Sequence, residues 1–252
     1  FYSSVSASEA GAATNWSSPV EIVSDQLVSW PQIGQDASGA LYVLYAVSYN
    51  AGRGVFLVRS NDGGRTWSAP ETVFNAEAAG WEAVDHPNLA VLPDGRLYAA
   101  WVSSSLPDTW PPKGIFYSAS SDQGATWSEP YTLAGAGFDW PRLVFAGGQL
   151  HFLSSESDGA GVWHRWTPLE ASGAETGWSV AAPVPGMQRA SSPAGLSVDG
   201  VPPMGTLHLA GADPELNELL YTTWNGKSWS SVETFALPLE SKVSSGAAAA
   251  TR

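Results

Sequence analysis

Cysteine is absent from this 252-residue chain, so disulfides, thiolate metal sites and thiol nucleophiles are all excluded. Charge is scarce, at 14% of residues, and lopsided: 24 acidic groups face 11 basic ones, for a formal net charge of −13. Such a field repels phosphate backbones and anionic bilayers, so nucleic acid and membrane surfaces are poor partners. No uncharged apolar run reaches the roughly 18 residues of a membrane span, so no membrane insertion is expected. No stretch sustains an apolar 3.6-residue period, so helices should be few. The acidic D-x-D-x-D-G calcium loop, the phosphate-cradling glycine loop and the G-x-S-x-G elbow are all missing. His86, His151, His164 and His208 lack metal-ligand spacing, and His151 and His208 hold the same place in two strand-like runs, which marks packing. No metal and no cofactor is expected.

Hydrophobic residues make up 44% of the chain and tryptophan is abundant, with 13 copies. A packed core is therefore expected rather than disorder. An eight-residue pattern occurs twice, Ser60-Asn61-Asp62-Gly63-Gly64-Arg65-Thr66-Trp67 and Ser120-Ser121-Asp122-Gln123-Gly124-Ala125-Thr126-Trp127. Both copies read S-x-D-x-G-x-T-W, follow a strand-like run and lead into W-S-x-P. The closing tryptophan recurs at Trp16, Trp67, Trp127, Trp178 and Trp229, with gaps of 51, 60, 51 and 51 residues. Between these marks lie Trp30-Pro31-Gln32, His86-Pro87-Asn88, Trp140-Pro141-Arg142 and Ser192-Pro193-Ala194, each followed by a turn and a strand-like run. A period near 50 residues holding four short strands is the pattern of propeller blades. One four-stranded sheet cannot bury both faces alone, and large indole rings fill the gaps between twisted neighbours.

The expected fold is an all-β propeller of about five blade units in one domain, 1–252, with incomplete first and last units. The units are a partial blade over 1–23, blades over 28–75, 84–134, 138–184 and 190–236, and the start of a blade over 242–252. The ends would pair into one composite blade, or the chain would belong to a longer ring. The start at Phe1 and the stop at Arg252 suit processing or proteolysis of a longer chain.

Within the motif, the aspartate accepts backbone N–H bonds from its own turn and the glycine permits positive φ. Asp62, Gly64 and Trp67, with Asp122, Gly124 and Trp127, therefore read as structural. The other copies depart from the pattern: Glu170 to Trp178 lacks the aspartate, and Trp224-Asn225-Gly226-Lys227-Ser228-Trp229 is a shorter Asn-Gly turn.

On the strength of Ser60–Trp67 and Ser120–Trp127 the chain resembles the sialidase-like β-propellers, whose S-x-D-x-G-x-T-W turn is the Asp box or bacterial neuraminidase repeat. The resemblance implies that the Asp boxes lie on the periphery. It places the ligand face opposite them, built from first-strand starts and the loops joining strands two and three. It also implies, for an exo-sialidase, three arginines on the substrate carboxylate, a tyrosine nucleophile with a glutamate partner and an aspartate acid/base. Here the chain departs: there is no Arg-Ile-Pro at an opening strand, and no tyrosine matches the nucleophile.

Candidates on the implied ligand face are Arg53, Asp85, His86, Trp110, Asp139, Trp140, Arg142 and Arg189. Aromatic faces with carboxylates and guanidinium groups suit sugars. Trp110 stands in the longest inter-strand loop, the one that breaks the 51-residue spacing. For Trp30 and Trp140 the competing role is wedge packing at the axis. Three functions are open: a secreted or surface-displayed propeller binding a carbohydrate, a glycoconjugate or another extracellular ligand, an exo-sialidase-like glycoside hydrolase, or a structural module of a larger extracellular assembly.

Overall fold

The computed structural model describes residues 1–24, 26–158, 161–198 and 205–238. The expected opening of a further blade over 242–252 lies outside them. The protein is an all-β propeller of four-stranded antiparallel sheets. The first sheet holds β1 (Ser29–Gln35), β2 (Leu41–Val47), β3 (Gly54–Ser60) and β4 (Glu71–Phe74). The second holds β5 (Ala83–Val91), β6 (Leu97–Ser104), β7 (Gly114–Ser120) and β8 (Tyr131–Ala134). The third holds β9 (Phe138–Ala146), β10 (Gln149–Glu156), β11 (Val162–Pro168) and β12 (Ala182–Pro183). The fourth holds β13 (Ser191–Val198), β14 (Thr206–Asp213), β15 (Glu218–Trp224) and β16 (Glu233–Ala236). Strands pair in chain order within each sheet, and the first strands β1, β5, β9 and β13 lie in succession against one another. Helix among the described residues is limited to 3-10 turns.

The continuous apolar runs of β2 and β6 follow from this stacking, because every residue of both is buried. Alternate side chains point to opposite faces of a strand. Tyr42, Leu44 and Ala46 of β2 pack toward Leu97, Ala99 and Trp101 of the second sheet. Val43, Tyr45 and Val47 pack instead with Ile22 and Val23 of the N-terminal segment. Tyr98, Val102 and Tyr117 meet Leu150, Phe152 and Trp178 across the next interface. Leu153, Val162 and Met187 meet Leu209 and Leu220 across the last. Trp101 is fully buried, so truncation to alanine would cost about 3–5 kcal/mol.

The two S-x-D-x-G-x-T-W turns close the β3–β4 and β7–β8 connections alike. Asp62 accepts the Thr66 hydroxyl at 2.6 Å and the Arg65 and Thr66 N–H groups at 3.0 and 2.9 Å. Asp122 accepts the Thr126 hydroxyl at 2.6 Å and its N–H at 2.9 Å. These bonds to the ionised form, the Thr hydroxyl foremost, hold both carboxyls below their ordinary value. Gly124 has φ +92°, and a Cβ there would stand 2.4 Å from Leu57 Cδ2 in the preceding sheet. Gly64 has φ +85°, and its Cβ would meet Tyr2 in the same way. Tyr2 also bridges Val20 and packs edge-on to Trp67. The N-terminal segment thus stands where the third and fourth strands of a preceding sheet would lie. The altered copies keep the tryptophan by other means: Glu175–Gly177 is a 3-10 turn before the buried Trp178, and Asn225 caps a tight turn that bridges Trp224 to Trp229.

Candidate functional site

Register fixes which residues share an edge of the propeller. Ser60, at the aspartate turn, pairs with Leu41, and Leu41 pairs with Gln35 at the end of β1. The start of β1 and the β2–β3 loop therefore lie at the opposite edge, and the same holds in each sheet. At that edge every first strand is irregular. The pairing shifts between Ser29 and Gln32, between Asp85 and Asn88, between Asp139 and Arg142, and between Ser191 and Ala194. Each shift is a bulge that spans an X-Pro pair.

The residue before the proline takes positive φ in all four sheets: Trp30 +54°, His86 +45°, Trp140 +56° and Ser192 +48°. A bulky residue before proline ordinarily stays extended, and holding it in the left-handed region costs about 1–3 kcal/mol. Four such residues at one edge form a built feature, and bulges of this kind re-aim side chains.

Three of the re-aimed side chains meet. The His86 ring stacks on Trp140 with centroids 4.2 Å apart, and Trp30 stands edge-on to both, at 4.5 Å from His86 and 5.9 Å from Trp140. His86 Nδ1 lies 2.6 Å from Asp139 Oδ1, which also accepts the Trp140 N–H at 2.6 Å. An ionised carboxylate can only accept, so Nδ1 is the donor in this contact. Asp139 is only 2% exposed, yet both of its bonds fall on one oxygen. On the other side of the cluster Ser48 Oγ donates to Asp85 Oδ1 at 2.8 Å and lies 2.6 Å from Ser29 Oγ. Gln32, Asn88 and the Leu143 N–H form a further bonded line from first strand to first strand.

The structure brings Trp30, Asp85, His86, Asp139 and Trp140 to one rim. The three candidate arginines have separate partners. Arg53 donates to the Trp81 carbonyl at 2.6 Å and pairs with Glu77 at 3.4 Å. Arg142 donates to the Pro141 carbonyl at 2.8 Å, and burial draws its pKa down against the opposing effect of Asp139. Arg189 pairs with the fully buried Asp213 at 2.8 Å and with Glu218 at 3.9 Å. Trp110 is half exposed and joins none of the ring contacts of the cluster. A cavity of about 430 Å³ lies instead between the N-terminal segment and Asp62–Arg65. Its Asp62 wall is already bonded within the turn, so strain and convergent rings place the candidate site on the opposite rim.

Sequence reasoning missed Ser29, Ser48, Gln32 and Asn88, which support the rings. The recurring X-Pro pair was the available signal, since a residue repeated at one place in every unit marks one structural position. Among the described residues no group of three or more His, Cys, Asp or Glu side chains could hold a metal ion, and no helix is long and apolar enough to cross a membrane.

No family model matches the chain, and no curated protein matches it in sequence. Solved structures do. A Hadza microbial sialidase aligns at 18% identity and TM-score 0.59, over 81% of this chain and 46% of that one. An intramolecular trans-sialidase from Ruminococcus gnavus aligns at 9% identity and TM-score 0.61, over 86% and 71%. An α-L-arabinanase from Penicillium chrysogenum, complexed with arabinobiose, aligns at 19% identity and TM-score 0.59, over 88% and 70%. The chain spans about half the length of the first of these. At these identities the likeness is one of fold, and the fold is that of the propeller glycoside hydrolases.

Proposed function

We propose that this protein is a secreted or cell-surface propeller that binds carbohydrate on the rim carrying Trp30, His86 and Trp140. The observation that carries the reading is the three-ring cluster raised by strained bulges and backed by Asp139. Strain of this kind persists where surrounding structure over-determines it, and it gathers at ligand sites. Trp140 and Trp30 offer ring faces to sugar C–H groups, and Asp139 and Asp85 offer acceptors to hydroxyls. A larger extracellular assembly remains compatible with the same rim as its glycan contact.

A second reading, glycoside hydrolysis, is favoured by the fold likeness to a sialidase, a trans-sialidase and an arabinanase. On this chain it would draw on Asp85 and Asp139, the paired carboxylates such chemistry uses. For the exo-sialidase form, Arg53 is paired with Glu77 and Arg189 with Asp213, while Arg142 gives one guanidinium nitrogen to the Pro141 carbonyl.

The test is retention on immobilised glycans by the intact chain and by Trp140→Ala and Trp30→Ala, with melting temperature as the control for folding. Loss of retention in folded variants supports the reading. Retention equal to that of the parent in both removes it. Release of 4-nitrophenol from an α-L-arabinofuranoside, or of 4-methylumbelliferone from a sialoside, decides whether the site also cleaves.

A further inference from the structure

Two further aromatic side chains at this edge are exposed. Tyr49 is 60% exposed and Trp110 is 51% exposed. Both are tied to the cluster through their neighbours. Tyr49 follows Ser48, which lies between Ser29 and Asp85, the residues just before Trp30 and His86. Trp110 is two residues before Pro112, whose carbonyl accepts the Gly137 N–H at 3.1 Å, and Gly137 leads directly into Phe138, Asp139 and Trp140. Register thus puts Tyr49, in the β2–β3 loop, and Trp110, in the β6–β7 loop, at the same edge of the propeller as the cluster. Large aromatic side chains left in water next to a bulge-built site are unlike single scattered surface residues.

The charges of the same rim select among sugars. Among the described residues its cations are Arg53, Lys113, Arg142 and Arg189. Arg53 is held by Glu77, Lys113 by Glu82 at 3.2 Å, and Arg189 by Asp213, while Arg142 is turned onto Pro141. Among the described residues Asp85 has no basic side chain within ion-pair distance and Asp139 has only His86, with Arg142 acting on Asp139 from farther off. A sugar carboxylate entering here would meet the like charge of Asp85 and Asp139.

We infer that the ligand is an uncharged oligosaccharide of at least three units, bound along Tyr49, the Trp30–His86–Trp140 cluster and Trp110. This deepens the carbohydrate-binding reading and rests on it. The central sugar sits on the cluster with a hydroxyl donating to Asp139. The outer sugars stack on Tyr49 and Trp110, so length and not a terminal acidic group determines affinity.

Calorimetry with arabino-oligosaccharides and cello-oligosaccharides of one to six units, and with sialyllactose, tests the inference. One neutral series should tighten roughly three- to tenfold from one unit to three. Tyr49→Ala and Trp110→Ala should flatten that rise, and both exposed positions can be truncated without opening a core. Equal affinity at every length, an undiminished rise in both variants, or sialyllactose as the tightest ligand overturns the inference and leaves the rim as a site. Failure of every probe to bind, on calorimetry and on a wider neutral-glycan array alike, overturns the underlying reading with it.

Discussion

His86 and Asp139 belong to different sheets, 53 residues apart in sequence, and are joined at 2.6 Å by Nδ1 and Oδ1. The bond orients the imidazole flat against Trp140, and Trp140 in turn donates its own N–H to the same oxygen. One carboxylate therefore orients the His86 ring and ties down the backbone that carries Trp140. Its effect should appear in binding before it appears in folding. Asp139→Asn keeps the shape and removes the charge, so glycan affinity should fall about tenfold, the worth of one charge-assisted bond. Trp140→Ala should lose at least as much. Calorimetry on folded variants checks both, and unchanged affinity in Asp139→Asn would show that the aspartate only supports the bulge.

Ionic strength separates a neutral ligand from an acidic one. Surface charges are screened over about 10 Å at 0.1 M salt and about 3 Å at 1 M. Binding governed by ring stacking and hydroxyl bonds should change less than about twofold across that range. A ligand held through its own carboxylate would weaken steadily as salt rises.

Acid should loosen the third and fourth sheets. His151 Nδ1 and His164 Nε2 lie 2.9 Å apart, stacked and buried beside Trp224 and Trp229. Burial lowers His151 to about 4 and His164 to about 3. Both rings are neutral in the folded state, while the unfolded chain takes up protons near pH 6.5. The unfolded state then binds more protons between these values, so stability is complete above pH 6.5 and is lost as pH falls toward 4. The loss should be about 3 kcal/mol for each ring, or about 6 kcal/mol for the two, from pH 7 to pH 4. Denaturant midpoints across that window measure it, and His164→Gln should flatten the slope. A midpoint constant from pH 7 to pH 4.5 would contradict the neutral pair.

The turn glycines bind neighbouring units together. Gly124 lies at φ +92° against Leu57 of the preceding sheet. Gly124→Val combines backbone strain with overpacking and should cost about 2–4 kcal/mol, or roughly 5–10 °C in melting temperature. Gly63→Ala, in open space at φ +74°, should cost less. Thermal melts of the two variants check the order, and equal melting temperatures would remove the interface role.

Much of the fold was legible in the residues. The tryptophan spacing and the continuous apolar runs of Leu41–Val47 and Leu97–Ser104 follow from sheets covered on both faces. The aspartate turns were legible for a local reason, since Asp62, Thr66 and Gly64 satisfy one another within a few residues. The site was legible only in outline. His86, Asp139 and Trp140 stood out as residue types, but their meeting depends on positive φ before Pro87 and Pro141, where the local preference is extended. Arg53, Arg142 and Arg189 looked available for a carboxylate, and only packing revealed Glu77, Pro141 and Asp213 as their partners.

The sequence by itself determined the repeat, the strand period and the bends, because those rest on interactions within one unit and on side-chain alternation along one strand. Tertiary structure decided which rings touch, which charges are spent on neighbours and which aromatics remain in water. Those outcomes arise where different units meet, and a distance between sheets is written in no single stretch of the chain.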